Sequence, residues 1–143
     1  MSHDKRQRHT NSAFVVAITG SSCSGKTTLS QQLLERLRAD GLAVEIVEQD
    51  RFRQKSSDNT LRDGRKTWEG PQFTSWAKLH GAVAAASVRS AVVLVEGYMV
   101  LDCADYRPDL AALVEGVLWV HSTKEQARRE RLTPGRQPAC PWR

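Results

Sequence analysis

The sequence "TGSSCSGKTT", residues 19–28, follows directly on the apolar run "AFVVAI" and leads directly into "LSQQLLERLRADG". It contains the pattern Gly-x-x-x-x-Gly-Lys-Thr, which indicates a phosphate-binding loop when it lies between a strand and a helix. Gly20 and Gly25 allow the backbone to turn so that successive N–H groups face an anion at the start of the helix. Lys26 adds a cation for the outer phosphates of a nucleotide, and the hydroxyl of Thr27 can bind Mg²⁺.

The alternative interpretation of this stretch is a glycine-rich turn without a ligand. Such a turn would explain neither Lys26 nor the apolar run and the helix-like stretch on either side. Cys23 is interpreted as a small loop residue without a catalytic role. We therefore predict that the whole loop contacts a nucleotide, through Gly20, Ser21, Ser22, Cys23, Ser24, Gly25, Lys26, Thr27 and Thr28.

The composition is that of an ordinary globular protein, because 40% of the 143 residues are hydrophobic and 26% are charged. No apolar run approaches the ~18 residues of a membrane span, and the polar start "MSHDKRQRHTNS" has no apolar stretch of signal-peptide length. Cys23, Cys103 and Cys140 are odd in number and lack paired metal-ligand spacing, which argues against a disulfide framework and a zinc site. We expect a soluble cytoplasmic protein that does not bind membranes.

The net charge of +5 suits either nucleic acid or polyphosphate substrates. Basic residues gather in the first residues, in the segment "RFRQKSSDNTLRDGRK" and in "KEQARRER", with no recognisable nucleic-acid module around them. We therefore expect a small-molecule substrate and no nucleic-acid partner. The sequence does not determine the oligomeric state.

Four short apolar runs alternate with helix-like stretches. The runs are residues 13–18, 43–47, 91–97 and 116–120, and the helix-like stretches lie at about residues 26–40, 74–88 and 108–114 and after "STKE". Strands that alternate with helices imply right-handed crossovers and a mostly parallel sheet covered on both faces. We predict a doubly wound α/β fold in a single domain over residues 13–143, after a flexible basic tail at residues 1–12.

Two of the predicted helices carry signals for their ends. The first helix, with Leu29 and Leu33 on one apolar face, should end before Gly41, a residue suited to a C-terminal cap. Ser122 and Glu125 have the spacing of a capping box at the start of the last helix.

Residues 51–73 show neither a helical nor a strand period. Loops longer than ~12–15 residues in compact domains are usually functional or disordered, and Trp68 and Phe73 favour function. Ligands of doubly wound sheets bind outside the carboxyl ends of the strands. That rule places "EQDRF", "EGY" and "HSTKEQARRER" on the same rim as the phosphate loop, so we predict an acceptor loop at residues 51–73 and a lid-like segment at residues 122–136.

The charged residues on this rim suit phosphoryl transfer. Such chemistry needs a carboxylate that takes the proton of a hydroxyl, which Asp50 can supply, and an acidic group near Mg²⁺, which Glu96 can supply. Arg128 and Arg131, at positions i and i+3, share a side of the last helix. The alternatives are a turn residue for Asp50, a strand-end ion pair for Glu96 and a solvated helix face for the arginines.

Trp68 and Glu69 are an aromatic residue and an adjacent carboxylate in a polar loop. This arrangement favours a platform for a ring and an acceptor for ribose hydroxyls. Trp68 could equally be a core residue, since aromatic side chains are common in cores.

Five motifs together resemble the P-loop nucleoside kinases related to uridine kinase, and most closely nicotinamide riboside kinase. The likeness covers roughly residues 14–131 and comprises "GSSCSGKTT", "QDRF", "TWEGPQFTSW", "VEGY" and "KEQARRER". The phosphate loop is specific only to the superfamily, whereas the order and spacing of all five motifs point to the riboside kinases.

The resemblance implies ATP and Mg²⁺ as ligands and a riboside as acceptor. It implies catalytic roles for Asp50 and Lys26, and Thr27, Asp50 and Glu96 near the metal. Trp68 would stack on the nicotinamide ring, and Glu69 would accept from the ribose hydroxyls. The further residues that it implies are Arg51, Phe52 and Arg129 for the acceptor and Arg128 or Arg131 for ATP.

The sequence departs from the family at three positions of the acceptor loop. Arg51 lies where a second Asp is usual, Glu69 replaces Asp, and Gln72 replaces Glu. The last residues, "PGRQPACPWR", do not resemble the Gly-Tyr-containing segment, helix and strand that follow the lid in the family. We expect a nicotinamide riboside kinase whose turnover is reduced by that departure. The alternatives are a uridine or cytidine kinase, a non-catalytic ATP-binding relative, and a small nucleotide hydrolase acting as a switch.

Overall fold

The computed structural model describes residues 12–57, 59–67, 69–98 and 100–132. The strands are β1 Phe14–Thr19, β2 Val44–Glu48, β3 Val92–Glu96 and β4 Val114–Trp119. The helices are α1 Lys26–Ala39, α2 Trp76–Arg89, α3 Cys103–Tyr106, α4 Pro108–Leu113 and α5 Lys124–Leu132. Three short 3₁₀ turns complete the described elements, at Gln49–Phe52, Pro71–Phe73 and Val100–Asp102.

The four strands form one parallel sheet in the order β2-β3-β1-β4. This arrangement confirms the predicted doubly wound α/β fold, and the predicted strands coincide with the observed ones to within one or two residues. Ile18 of β1 and Glu48 of β2 both lie beside Glu96 of β3. The carboxyl ends of these three strands therefore meet at one edge of the sheet, where the phosphate loop begins.

Alternation along β1 separates the two layers of the core. Ala17 packs on one face of the sheet with α2 and α4, and Ile18 packs on the other face with the leucines of α1. The first layer contains Val15, Ala17, Val93, Val95, Trp76, Leu79, Val83 and Leu110. The second contains Ile18, Val44 and Leu94 with Leu29, Leu33, Leu34 and Leu37 packed against them. Helices thus cover both faces, as predicted from the alternation of elements.

The C-terminal end of α1 follows the prediction. Gly41 has φ +84°, and its N–H donates to the carbonyl oxygen of Arg38 at 2.9 Å, while the N–H of Leu42 donates to that of Leu37 at 3.1 Å. These bonds satisfy carbonyl groups that the end of a helix leaves unpaired.

The predicted capping box at the start of α5 is wrong by one residue. The hydroxyl of Thr123 accepts a hydrogen bond from the N–H of Gln126 at 3.1 Å, whereas the hydroxyl of Ser122 donates to the carbonyl oxygen of Thr123. Thr123 is therefore the N-cap and Gln126 the third helical residue. Thr-x-x-Gln has the same capping spacing as Ser-x-x-Glu, so the sequence pattern does not distinguish the two registers.

Strand β4 lies at an edge of the described sheet. Its last three side chains are exposed, namely Val117, Leu118 and Trp119, and the aromatic ring of Phe14 on β1 is also half exposed. Within the described ranges, every helix is too short or too polar to cross a membrane.

Candidate nucleotide and acceptor site

The phosphate loop connects β1 to α1 and depends on backbone conformations that favour glycine. Gly20 has φ +151°, and a Cβ atom there would lie 2.3 Å from the carbonyl oxygen of Val120, at the end of β4. Gly25 has φ +96° and lies immediately before α1, while Cys23 has φ +60° without being glycine. Left-handed backbone in the loop, together with the start of α1, is the arrangement that turns N–H groups towards one point.

Lys26 is almost fully buried, with 8% of its surface exposed. Its Nζ donates a hydrogen bond to the carbonyl oxygen of Ser21 at 2.7 Å, across the phosphate loop. Burial lowers the pKa of Lys26, whereas the negative charges of Glu96 and Asp50 raise it. The ammonium group is thus placed among oxygen atoms and carboxylates at the mouth of the loop.

Thr27 and Glu96 are in direct contact, because the hydroxyl of Thr27 donates to Oε1 of Glu96 at 3.0 Å. Glu96 is 9% exposed, and burial raises the pKa of its carboxyl group, while the bond from Thr27 and the charge of Lys26 lower it. Among the described residues there is no group of three or more His, Cys, Asp or Glu side chains that could hold a metal ion. One hydroxyl and one carboxylate nevertheless fit Mg²⁺, which is usually held by one or two protein ligands together with substrate phosphates and waters.

We predict that Glu96→Gln weakens binding of ATP in the presence of Mg²⁺ about 10–100-fold, the usual cost of altering a group close to a bound metal. The amide retains the volume of the carboxylate but loses its charge. Titration calorimetry with and without Mg²⁺ measures the effect, and Glu115→Gln on the exposed part of β4 is the matched control. Equal affinity of the Glu96 variant and the wild type for the Mg²⁺ complex would show that Glu96 serves only the fold.

A cleft of about 360 Å³ lies between the phosphate loop with α1 and the segment that follows β4. Its lining residues are Cys23, Ser24, Gly25, Thr28, Leu29, Gln32, His121, Ser122 and Gln126. Ser24 Oγ is buried and makes no hydrogen bond within the described part of the chain. The volume is within the range of small-ligand sites, and the position suits the nucleoside part of a nucleotide whose phosphates lie in the loop.

Helix α5, the predicted lid, lines this cleft through Gln126, and of the arginines whose side chains the structure describes, Arg128 and Arg129 are not among the lining residues. The side chain of Arg128 is exposed, and Arg129 forms an ion pair with Glu125 at 2.6 Å along the exposed helix. The side chain of Arg131 lies outside what the structure describes. A role of Arg128 or Arg131 with ATP, and of Arg129 with the acceptor, stays a prediction.

Asp50 lies in the 3₁₀ turn that directly follows β2, and its side chain is exposed on the rim. The two predicted acceptor residues that follow it point elsewhere: Arg51 forms an ion pair with Glu48, and Phe52 packs against the core. Of three consecutive candidates, the structure therefore presents Asp50 to the site near Lys26 and Glu96.

The predicted acceptor loop is closed at its base by main-chain pairing. The N–H of Gln54 donates to the carbonyl oxygen of Phe73, and the N–H of Ser75 donates to that of Phe52, both at 2.8 Å. The loop therefore leaves and returns at one place. Trp68 lies outside the described residues, and Glu69 is exposed, with its N–H bonded to the hydroxyl of Thr67 at 3.1 Å.

Sequence reasoning missed a buried glutamine next to Asp50. Gln49 is 1% exposed, and its Nε2 donates to the hydroxyl of Thr74 at 3.0 Å, at the end of the acceptor loop. Its Oε1 fills the space beside Gly97, where a Cβ atom would lie at 2.1 Å. Gln49 thus joins the ends of β2, β3 and the acceptor loop. Its position directly before Asp50 was the only feature of the sequence that could have pointed to this role.

We predict that Gly97→Ala lowers the free energy of unfolding by roughly 1–3 kcal/mol, because the new methyl group has to displace the buried Gln49 amide. Chemical denaturation measures the change. Gly81→Ala, in the middle of α2 with open space around the position, is the matched control, and it should raise stability by roughly 0.5–1 kcal/mol. Equal stability of the Gly97 variant and the wild type would show that this junction is loosely packed.

Solved structures of other proteins share the fold described above. The solved APS kinase of Mycobacterium tuberculosis aligns with a TM-score of 0.54 and 15% identity, over 82% of this chain and 94% of that one. A structure from Silicibacter sp. TM1040, assigned as a fructose transport system kinase, gives a TM-score of 0.60 at 20% identity, over 90% of this chain and 73% of that one. At these identities the likeness defines the fold, which is that of P-loop kinases.

The family follows from the sequence itself. The adenylylsulphate kinase model matches residues 12–94, more than half of the 143 residues, so the chain belongs to this family of P-loop kinases. The uridine kinase of Leuconostoc citreum (strain KM20) is 42% identical over 54 residues, which are 38% of this chain. The match spans only 26% of that relative's length. The resemblance to P-loop kinases is thereby confirmed, whereas specificity for nicotinamide riboside is not shown.

Proposed function

We propose that the chain is a kinase that transfers the γ-phosphoryl group of ATP to the 5′-hydroxyl group of a riboside. The contact of 3.0 Å between Thr27 and Glu96 is the observation on which the proposal rests, because it joins the phosphate loop to an acidic strand end. Lys26 and Asp50 lie on the same rim, so a phosphate, a metal ion and an acceptor hydroxyl can meet there.

Each of these residues has a distinct task in the proposed reaction. Lys26 stabilises negative charge on the transferred group, while Thr27 and Glu96 would hold Mg²⁺, which neutralises charge on the phosphates when bound. Asp50 accepts the proton of the attacking hydroxyl as the new O–P bond forms. The bond between the γ-phosphorus and the bridging oxygen breaks, and ADP leaves with its electron pair.

Nicotinamide riboside is the first acceptor to test, because the motifs of the acceptor loop resemble those of its kinases. Trp68 and Glu69 would bind the ring and the ribose in that case. The charge of the loop argues against this acceptor. Residues 51–73 contain six basic and three acidic residues, and this positive loop would repel the cationic nicotinamide ring of the riboside.

Uridine is the second acceptor, and two observations favour it. Its base is neutral, so the positive loop does not repel it, and the chain matches a uridine kinase at 42% identity over 54 residues. Adenylyl sulphate, from the family whose model matches residues 12–94, is the alternative acceptor. Its 5′-oxygen is esterified, so the phosphoryl group would go to another ribose hydroxyl, and its phosphorylation would contradict the proposed 5′ transfer. Its anionic groups would be attracted by the same basic loop.

The test is phosphoryl transfer from ATP with Mg²⁺ to nicotinamide riboside, uridine, cytidine and adenylyl sulphate, read from the mass of the product. A riboside that gains one phosphoryl group supports the proposal and identifies the acceptor. ADP formed at the same rate without any acceptor would indicate a nucleotide hydrolase. Binding of ATP without formation of ADP would identify a non-catalytic relative.

A further inference from the structure

Tyr98 occupies the junction between the metal-side strand and the acceptor loop. It lies two residues after Glu96, and its side chain is half-buried. Its phenolic oxygen accepts a hydrogen bond from the N–H of Gly70 at 3.4 Å, and its carbonyl oxygen accepts one from the hydroxyl of Thr19 at 3.5 Å. The residue thus contacts both the end of β1 and a loop position 28 residues away in sequence.

The packing around Gly97 fixes the backbone that carries Tyr98. The Gln49 amide fills the position that a side chain at 97 would need, so the chain between Glu96 and Tyr98 can shift little. Tyr98 is therefore attached to the same rigid strand end as Glu96.

The contact with Gly70 adds to the main-chain bonds at the base of the acceptor loop, where the carbonyl oxygen of Gly70 already accepts from the N–H of Phe73 at 3.1 Å. The base is closed by main-chain bonds around Phe52 and Phe73, and Gly70 directly follows Glu69. The charged groups that act on the phenol are Arg53, Glu69 and Asp50. The phenol therefore lies among the residues that would face an acceptor.

We propose that Tyr98 is a positioning residue for the acceptor: its hydroxyl holds Gly70 and thereby limits the positions open to the adjacent Glu69. This inference rests on the proposed function. Without the bond to Tyr98, Gly70 would be held only through its carbonyl oxygen by the N–H of Phe73, and each bound acceptor would have to order more of the segment that carries Glu69. The bond from Gly70 to a rigid strand end removes part of that cost before the acceptor binds.

The experiment compares Tyr98→Phe, which removes the hydroxyl and keeps the ring, with Tyr106→Phe as the matched control. Tyr106 is half exposed in α3 and stacks on Trp76 through its ring, which phenylalanine retains. Amide hydrogen exchange at Gly70 is measured in the protein without ligands. The KM for the riboside acceptor, kcat and the affinity for ATP are measured in parallel.

The expected result for Tyr98→Phe is exchange at Gly70 about two- to tenfold faster, the effect of losing one neutral hydrogen bond. The KM for the acceptor should rise by a similar factor with kcat and ATP affinity almost unchanged, since a positioning contact affects acceptor binding. Tyr106→Phe should match the wild type in all four measurements. A general loss of stability would instead change exchange throughout the chain and both affinities together.

Unchanged exchange at Gly70 in Tyr98→Phe would overturn the inference, whatever the activity. Faster exchange with an unchanged acceptor KM would also overturn it, because the loop would then be held without effect on the acceptor. If the wild type phosphorylates no riboside, the proposed function fails, and exchange at Gly70 still decides whether Tyr98 holds the loop.

Discussion

Replacement of Lys26 by methionine should lower the rate of phosphoryl transfer by at least about 10²–10³-fold, the cost of removing a group that stabilises charge in the transition state. Methionine keeps the unbranched stem of the side chain and removes only the ammonium group. The N–H groups of the phosphate loop remain, so ATP should still bind, although more weakly. Steady-state rates with the best acceptor of the panel give the size of the loss.

The same variant should fold as well as the wild type. Burial lowers the pKa of Lys26, which means that the folded state disfavours its charged form, so a neutral side chain of similar shape removes an unfavourable contribution. Thermal unfolding checks this expectation, with Lys78→Met on the exposed surface of α2 as the control. If the folded Lys26 variant transferred the phosphoryl group at the rate of the wild type, the phosphate loop would have no role in the proposed reaction.

The parts of the fold that the sequence predicted correctly depend on local patterns. The apolar runs at residues 13–18 and 43–47 became strands because β-branched residues recur there between turn signals. Gly20, Gly25 and Lys26 were identifiable because the spacing of the phosphate loop is itself the physical requirement for its shape.

The acceptor side of the site depends on contacts between distant parts of the chain. Gln49 meets Thr74 across 25 residues, and Tyr98 meets Gly70 across 28, and no local period indicates either pair. The sequence therefore predicted that residues 51–73 form a functional loop but not what closes it. Phe52 illustrates the same point, since its place in a motif suggested substrate contact while its apolar ring packs on the core.

Asp50 and Glu96 are the two carboxylates on the rim that the sequence singled out, and their surroundings differ. Glu96 is buried and bonded to Thr27, a position that suits a metal ligand. Asp50 is exposed at the start of the acceptor loop, where an acceptor hydroxyl can approach. This difference assigns proton transfer to Asp50 in the proposed reaction.

Asp50→Asn should consequently lower kcat by roughly 10²–10⁴-fold, the usual contribution of a general base, while ATP still binds. The amide keeps the size of the side chain and loses the proton acceptor. Rates and ATP affinity measured over a range of Mg²⁺ concentrations separate two roles: a base leaves the Mg²⁺ requirement unchanged, whereas a metal ligand raises it. Asp40→Asn, an exposed position at the end of α1, is the control. An unchanged kcat in Asp50→Asn would show that Asp50 only shapes the turn after β2, and the proton would then have to leave by another route.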